Sequence, residues 1–123
     1  MTFNFDREFQ SMMQVHDLNS VILLGHLNPD GDAAGSVMGL AHYIKINYPQ
    51  YKVMPYLADT LDKGPKKQVK QDKVFNPFEK PDIKEKYAVI VCDTAVLARM
   101  IGREYYEGAA ASMVIDHHAS NEG

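Results

Sequence analysis

The stretch Val21-Ile22-Leu23-Leu24-Gly25-His26-Leu27-Asn28-Pro29-Asp30-Gly31-Asp32-Ala33-Ala34-Gly35-Ser36 runs from an unbroken apolar segment into a turn crowded with imidazole and carboxylate groups. Val21 to Gly25 shows no polar alternation, which predicts a strand buried on both faces, as in a parallel sheet. Asn28-Pro29 and Asp30-Gly31 are turn chemistry: the proline presets one backbone dihedral and the glycine admits positive φ. Such a turn holds His26, Asp30 and Asp32 close together at the mouth of the strand. Ala33, Ala34, Gly35 and Ser36 are small enough for a helix start to approach the same point, with free amides available to an anion. Ser36 suits that role or plain helix packing.

Working outward, the pattern of an apolar strand ending on metal-ligand side chains recurs twice. Tyr87-Ala88-Val89-Ile90-Val91-Cys92 ends on Asp93-Thr94, and Ser112-Met113-Val114-Ile115 ends on Asp116-His117-His118. Helical spacing fills the intervals. Phe5, Phe9, Met12 and Met13 define a first helix over 3–16, with His16 as a capping or surface group. Val37, Leu40, Ala41, Ile44 and Tyr48 define a second over 33–48, stopped at Asn47-Tyr48-Pro49, in which His42 reads as an ordinary helix residue. Tyr51 to Leu57 predicts another strand, and Pro55 within it points to an edge or a bulge. Thr94 to Ile101 reads as a short helix with Gly102 at its C-terminal stop, and Glu104 to Gly108 as a loop or further helical turn.

Strands alternating with helices predict an α/β fold, a parallel-sheet αβα sandwich whose strands all finish along one edge. Ligands of such sheets bind outside that edge. A single acid at a strand end is ordinary turn or capping chemistry. Three clusters delivered to one edge argue instead for a shared site built from His26, Asp30, Asp32, Asp93, Asp116, His117 and His118.

Residues 58–81 are the least regular part, carrying Lys63, Lys66, Lys67, Lys70 and Lys73 between Gly64, Pro65, Pro77 and Pro81. The lysine run reads first as a solvated helical face and second as a surface that steers an anionic substrate. Val74, Phe75 and Phe78 are expected to tether this excursion to the core.

A chain of 123 residues with 46% hydrophobic content is the size of one domain with a substantial core. Its net charge of −3 argues against broad electrostatic attraction to nucleic acid or membrane, with no stable binding of duplex DNA expected, so a polyanion must be held by a local site or a metal. Cys92 is the only cysteine, which excludes an internal disulfide framework and suits a reducing compartment. No apolar run approaches the ~20 residues that span a bilayer. Asp6, Arg7 and Glu8 interrupt the N-terminus before any signal-peptide apolar region. A cytoplasmic location is the expectation.

Carboxylates gathered this closely repel and take up protons unless a cation neutralises them. The donor set is too rich in oxygen for structural zinc and suits manganese, with magnesium or cobalt as alternatives. The number of donors favours two metals sharing a bridging carboxylate. Such a pair, ~3.5–4 Å apart, activates water and stabilises charge developing on a phosphoryl group.

His26-Leu27-Asn28-Pro29-Asp30-Gly31-Asp32-Ala33, Val91-Cys92-Asp93-Thr94 and Asp116-His117-His118 resemble, in order, the first three signature motifs of the DHH phosphoesterase superfamily. Within it the chain is most similar to the bacterial nanoRNase and phosphoadenosine-phosphate phosphatase group. The resemblance implies hydrolysis of short oligoribonucleotides or of phosphoadenosine phosphate by water held between two metals. It implies that His26 and Asp30 bind one metal, Asp32 and His117 the second, and that Asp93 bridges both. By the same resemblance His118 faces the scissile phosphate and Asp116 supports the neighbouring imidazoles.

Members of the superfamily continue past the third motif, with a fourth-motif aspartate and a C-terminal domain that grips the substrate. Residues 1–123 are therefore expected to be a truncated N-terminal DHH domain, binding metal weakly and hydrolysing little alone. Two alternatives stand beside this reading: a non-catalytic metal-binding or regulatory module, and an enzyme resembling family II inorganic pyrophosphatases. Metal titration and substrate profiling separate them.

Overall fold

A computed structural model describes residues 4–25, 32–57, 63–92 and 102–115, the side chains of 32–34 and 65 excepted. The first strand, β1 (Ser20–Gly25), is buried at every position. A second fully buried strand, Ala88–Cys92, lies parallel beside it, from Val21 opposite Ala88 to Gly25 opposite Cys92. Continuous apolar sequence thus does mark strands covered on both faces.

Between them in the chain runs β2 (Lys52–Tyr56), which pairs with the other side of β1, so Ala88–Cys92 is β3. The last strand, β4 (Ala111–Ile115), pairs with β3. All pairings are parallel and the order is β2-β1-β3-β4. Pro55 accordingly stands in an outer strand, opposite Leu23, where a missing N–H is tolerated.

The two sides of each strand face different layers, as the period of two requires. Val21, Leu23, Ala88, Ile90 and Cys92 share a core with Phe9 and Met13 of α1 (Phe5–Val15) and with Val37, Ala41 and Ile44 of α2 (Asp32–Asn47). Ile22, Leu24, Val89 and Val91 face the opposite way, against Tyr56 and, from α4 (Arg103–Gly108), Tyr105 and Tyr106. The result is the expected helix–sheet–helix layering. None of the described helices is long and apolar enough to cross a membrane.

Helix α1 begins where Asn4 accepts a hydrogen bond from the Arg7 amide, an N-cap that satisfies an otherwise orphan donor. It ends at exposed His16, in the C-cap position, followed by Asp17 at φ 54 and a Leu18 amide that donates to the Met13 carbonyl at 2.8 Å. That is a left-handed helix stop with buried Leu18 as its apolar plug. Asp6 then links the first two helices, accepting from the hydroxyls of Tyr43 (2.6 Å) and Tyr48 (2.5 Å). This pairing pushes the Tyr48 phenol up to about 12.

The 58–81 region contains α3 (Lys63–Lys70), whose Val69 packs on the core below α2. Phe75 packs there too, but Val74 does not: it is 52% exposed, so the tether runs through Phe75 alone of those two. Just before β3, Tyr87 lies outside the strand and its hydroxyl donates to the Tyr105 carbonyl at 2.8 Å. Residues 103–108 are helical, not a loop. The helix expected over 94–101 falls outside the described residues.

Candidate metal centre

Strands β1, β3 and β4 finish level, with Gly25 opposite Cys92 and Cys92 opposite Ile115. The next residues in the chain are His26, Asp93 and Asp116. From β1 the chain goes to β2 on one side, whereas β3 and β4 lie on the other, so the order of strands reverses between β1 and β3. Loops leaving two such strands diverge to opposite faces and leave a crevice at their carboxyl ends.

Of the seven predicted site residues, His26, Asp30, Asp93, Asp116, His117 and His118 lie outside the described residues. Asp32 is the first residue of α2, its side chain likewise outside them. Among the described residues no group of His, Cys, Asp and Glu could hold a metal ion.

The described residues beneath the edge are apolar, among them Leu24, Val91 and Cys92. Cys92 is buried at the end of β3. Gly35 is exposed and a Cβ there would meet nothing within 4 Å among the described residues. Gly102 is different. Its φ of 72° is left-handed, and a Cβ would stand 3.0 Å from Leu24 Cδ2 and 3.1 Å from Tyr56 Cδ2. A side chain there would be strained by the left-handed backbone and would push Leu24 and Tyr56 aside, which favours glycine where the backbone closes over the ends of β1 and β2. Ser36 is half-buried one turn into α2.

Two polar clusters escaped sequence reasoning because their members are far apart in the chain. One is the Asp6–Tyr43–Tyr48 group. The other joins α2 to the end of α3: the His42 ring donates from Nε2 to Asp72 Oδ2 at 2.5 Å, while Asp72 Oδ1 accepts from the amides of Val74 (2.8 Å) and Phe75 (2.9 Å). Burial alone raises the Asp72 pKa, but the His42 hydrogen bond and the two amides outweigh it and hold the carboxyl below its usual value. Spacing of Asp72 two and three residues before those amides was a readable turn signal; its histidine partner was not. A groove of about 410 Å³ between α1 and β4, lined by Met12, His16 and Met113 among others, lies along the flank of the sheet and not at the strand ends.

Comparison with known proteins bears on the same edge. Residues 20–123 match the DHH family, N-terminal domain. The chain is 33% identical over 104 residues to the bifunctional oligoribonuclease and PAP phosphatase NrnA of Bacillus subtilis (strain 168), covering 85% of this chain and 31% of that protein. It is 28% identical over 119 residues to the protein of the same name from Mycoplasma pneumoniae, covering 94% and 35%. A probable NrnA of Streptococcus mutans is 30% identical over 113 residues, covering 90% and 33%. The chain therefore spans about a third of the length of these relatives. Because the matched span opens on the first residue of β1 and takes in all three donor-bearing strand ends, the chain belongs to the DHH family.

Proposed function

We propose that this chain carries the metal centre of a phosphoesterase acting on short oligoribonucleotides or on phosphoadenosine phosphate. The observation that carries the reading is the level finish of β1, β3 and β4 beside the reversal in strand order, with β1 and β4 leading into segments that carry both imidazole and carboxylate donors and β3 leading directly into Asp93. Chain continuity keeps the first donor of each segment within ~3.8 Å, Cα to Cα, of its strand end. Parallel neighbours are themselves ~4.8 Å apart. This spacing supports a cation shared between donors from adjoining strand ends, for which mixed imidazole and carboxylate groups favour manganese.

In this reading His26 and Asp30 hold one ion, Asp32 and His117 the other, and Asp93, entering from the central strand β3, serves both. Bound there, the two ions supply an activated water and neutralise charge on the phosphoryl oxygens. His118 hydrogen-bonds the phosphate at the bond to be cut, and Asp116 fixes the ring orientation of its histidine neighbours. The relatives' names, oligoribonuclease and PAP phosphatase, support the choice of substrates.

Calorimetric titration with manganese tests the centre. The chain is expected to bind the metal and Asp93→Ala to abolish binding while leaving the circular dichroism spectrum intact. Unchanged binding in that variant refutes the assignment. Residual hydrolysis of pentaadenylate, phosphoadenosine phosphate and pyrophosphate, expected to be low for residues 1–123 alone, then tests the substrate class by its rank order, and turnover of pyrophosphate alone overturns it.

A further inference from the structure

Charge is unevenly distributed along this chain. Residues 63–86 hold eight lysines against four acids, in a molecule whose net charge is −3. Lys63, Lys67 and Lys70 of α3 are all exposed, and at ~100° per residue they fall within an arc of about 60°. Val69 turns the other way, into the core, and Lys66 lies over the Phe78 ring at 5.8 Å. Among the described residues none of Lys63, Lys67 and Lys70 makes an ion pair. Asp72, the only acid between 63 and 73, has its carboxylate occupied by His42 and two backbone amides.

The helix is also tied to the edge where the strands finish. Tyr56 of β2 stands beside Leu24 of β1, and the amide of the next residue, Leu57, donates to the Pro77 carbonyl at 2.7 Å. Phe78, following Pro77, is the ring beneath Lys66. The middle of α3 is therefore fastened to the carboxyl end of the sheet on its β2 side.

We propose that Lys63, Lys67 and Lys70 form a phosphate track that holds the backbone of a single-stranded oligoribonucleotide on the β2 side of the strand-end site. This rests on the oligoribonucleotide reading above and gives it a means of distinguishing a chain of several nucleotides from a mononucleotide. The solvated-face reading of these lysines describes the free protein; three ammonium groups on one face, without an ion pair among the described residues and tied to the carboxyl end of the sheet, give that face a polyanionic ligand.

The test is fluorescence anisotropy of a labelled pentaribonucleotide with the full chain in EDTA, across a range of salt concentrations. Neutralising all three lysines (K63Q, K67Q and K70Q together) is expected to weaken binding ~10-fold and to reduce the slope of log affinity against log salt by about 2, at ~0.7 per phosphate contact on a single strand. The charge-matched control is K52Q, K84Q and K86Q together. Lys52 lies opposite Ser20, and Lys84 and Lys86 precede β3, so all three sit at the opposite edge, and their loss is expected to leave binding unchanged. The track is overturned if its variant binds like wild type, if the control weakens binding equally, or if wild type binds no pentaribonucleotide. Because EDTA removes metal, the result is independent of the manganese titration: lysine-dependent binding without a metal centre retains the track and discards the centre, and the converse result does the reverse.

Discussion

The inner strands β1 and β3 and the outer strand β4 each lead into candidate metal donors but stand on different foundations. Every residue of β1 and β3 is buried. In β4 half-buried and exposed positions alternate, and Val114 is 46% exposed. Yet Ser112-Met113-Val114-Ile115 reads almost as apolar as Val89-Ile90-Val91-Cys92. Depth comes from position in the strand order, since β3 has a neighbour on each side and β4 is paired only to β3 among the described residues. The segment with the most imidazoles thus hangs from the more weakly anchored strand.

The largest effect expected from this contrast is on stability. Ile90→Ala, in a fully buried site, should cost ~2–5 kcal/mol, whereas Met113→Ala at half-buried β4 should cost less than half as much. Urea midpoints measure both, and equal losses would break the distinction between inner and outer strands. Gly102→Ala comes next, at about 1–3 kcal/mol, because it combines a left-handed φ with a 3.0 Å approach to Leu24. A neutral result there would mean that the backbone does not need to close over the ends of β1 and β2.

Smallest is the contribution of the peripheral tie between α2 and α3. Asp72→Ala should cost ~1 kcal/mol at neutral pH. Because the Asp72 carboxyl lies below its usual value in the folded chain, its contribution is present above the ordinary carboxylate range and disappears as pH falls through the lowered value. Thermal melts in acid should therefore bring wild type and variant together. A gap that persists in strong acid would assign the loss to packing and not to the charge.

The two inner strands were legible because β-branched and aliphatic runs with no polar interruption have few other uses. Pro55 correctly marked an outer strand, since a missing donor is costly inside a ladder. The helix at 63–70 was less legible: Gly64 and Pro65 weaken its start, and its stability comes from Val69 and from contacts with residues distant in the chain. Val74 looked like a tether because it is apolar, but the amides of Val74 and Phe75 are both held by Asp72, and the turn so formed directs only Phe75 inward. His42 could not announce its partner from thirty positions away. For the candidate centre, the identities of the donors and the alternation that brings strands to one edge were readable, and the register shows those strands ending side by side. Which oxygen or nitrogen meets which cation depends on loop conformation, on which strand periodicity is silent.

Cys92 is the chain's sole thiol and is 3% exposed at the last position of β3. An alkylating reagent reaches it when the carboxyl end of β3 opens, so the rate of labelling in native buffer becomes a clock for that opening. A cation seated beside the same strand end would slow the clock, turning an inert sulfur into a reporter of occupancy.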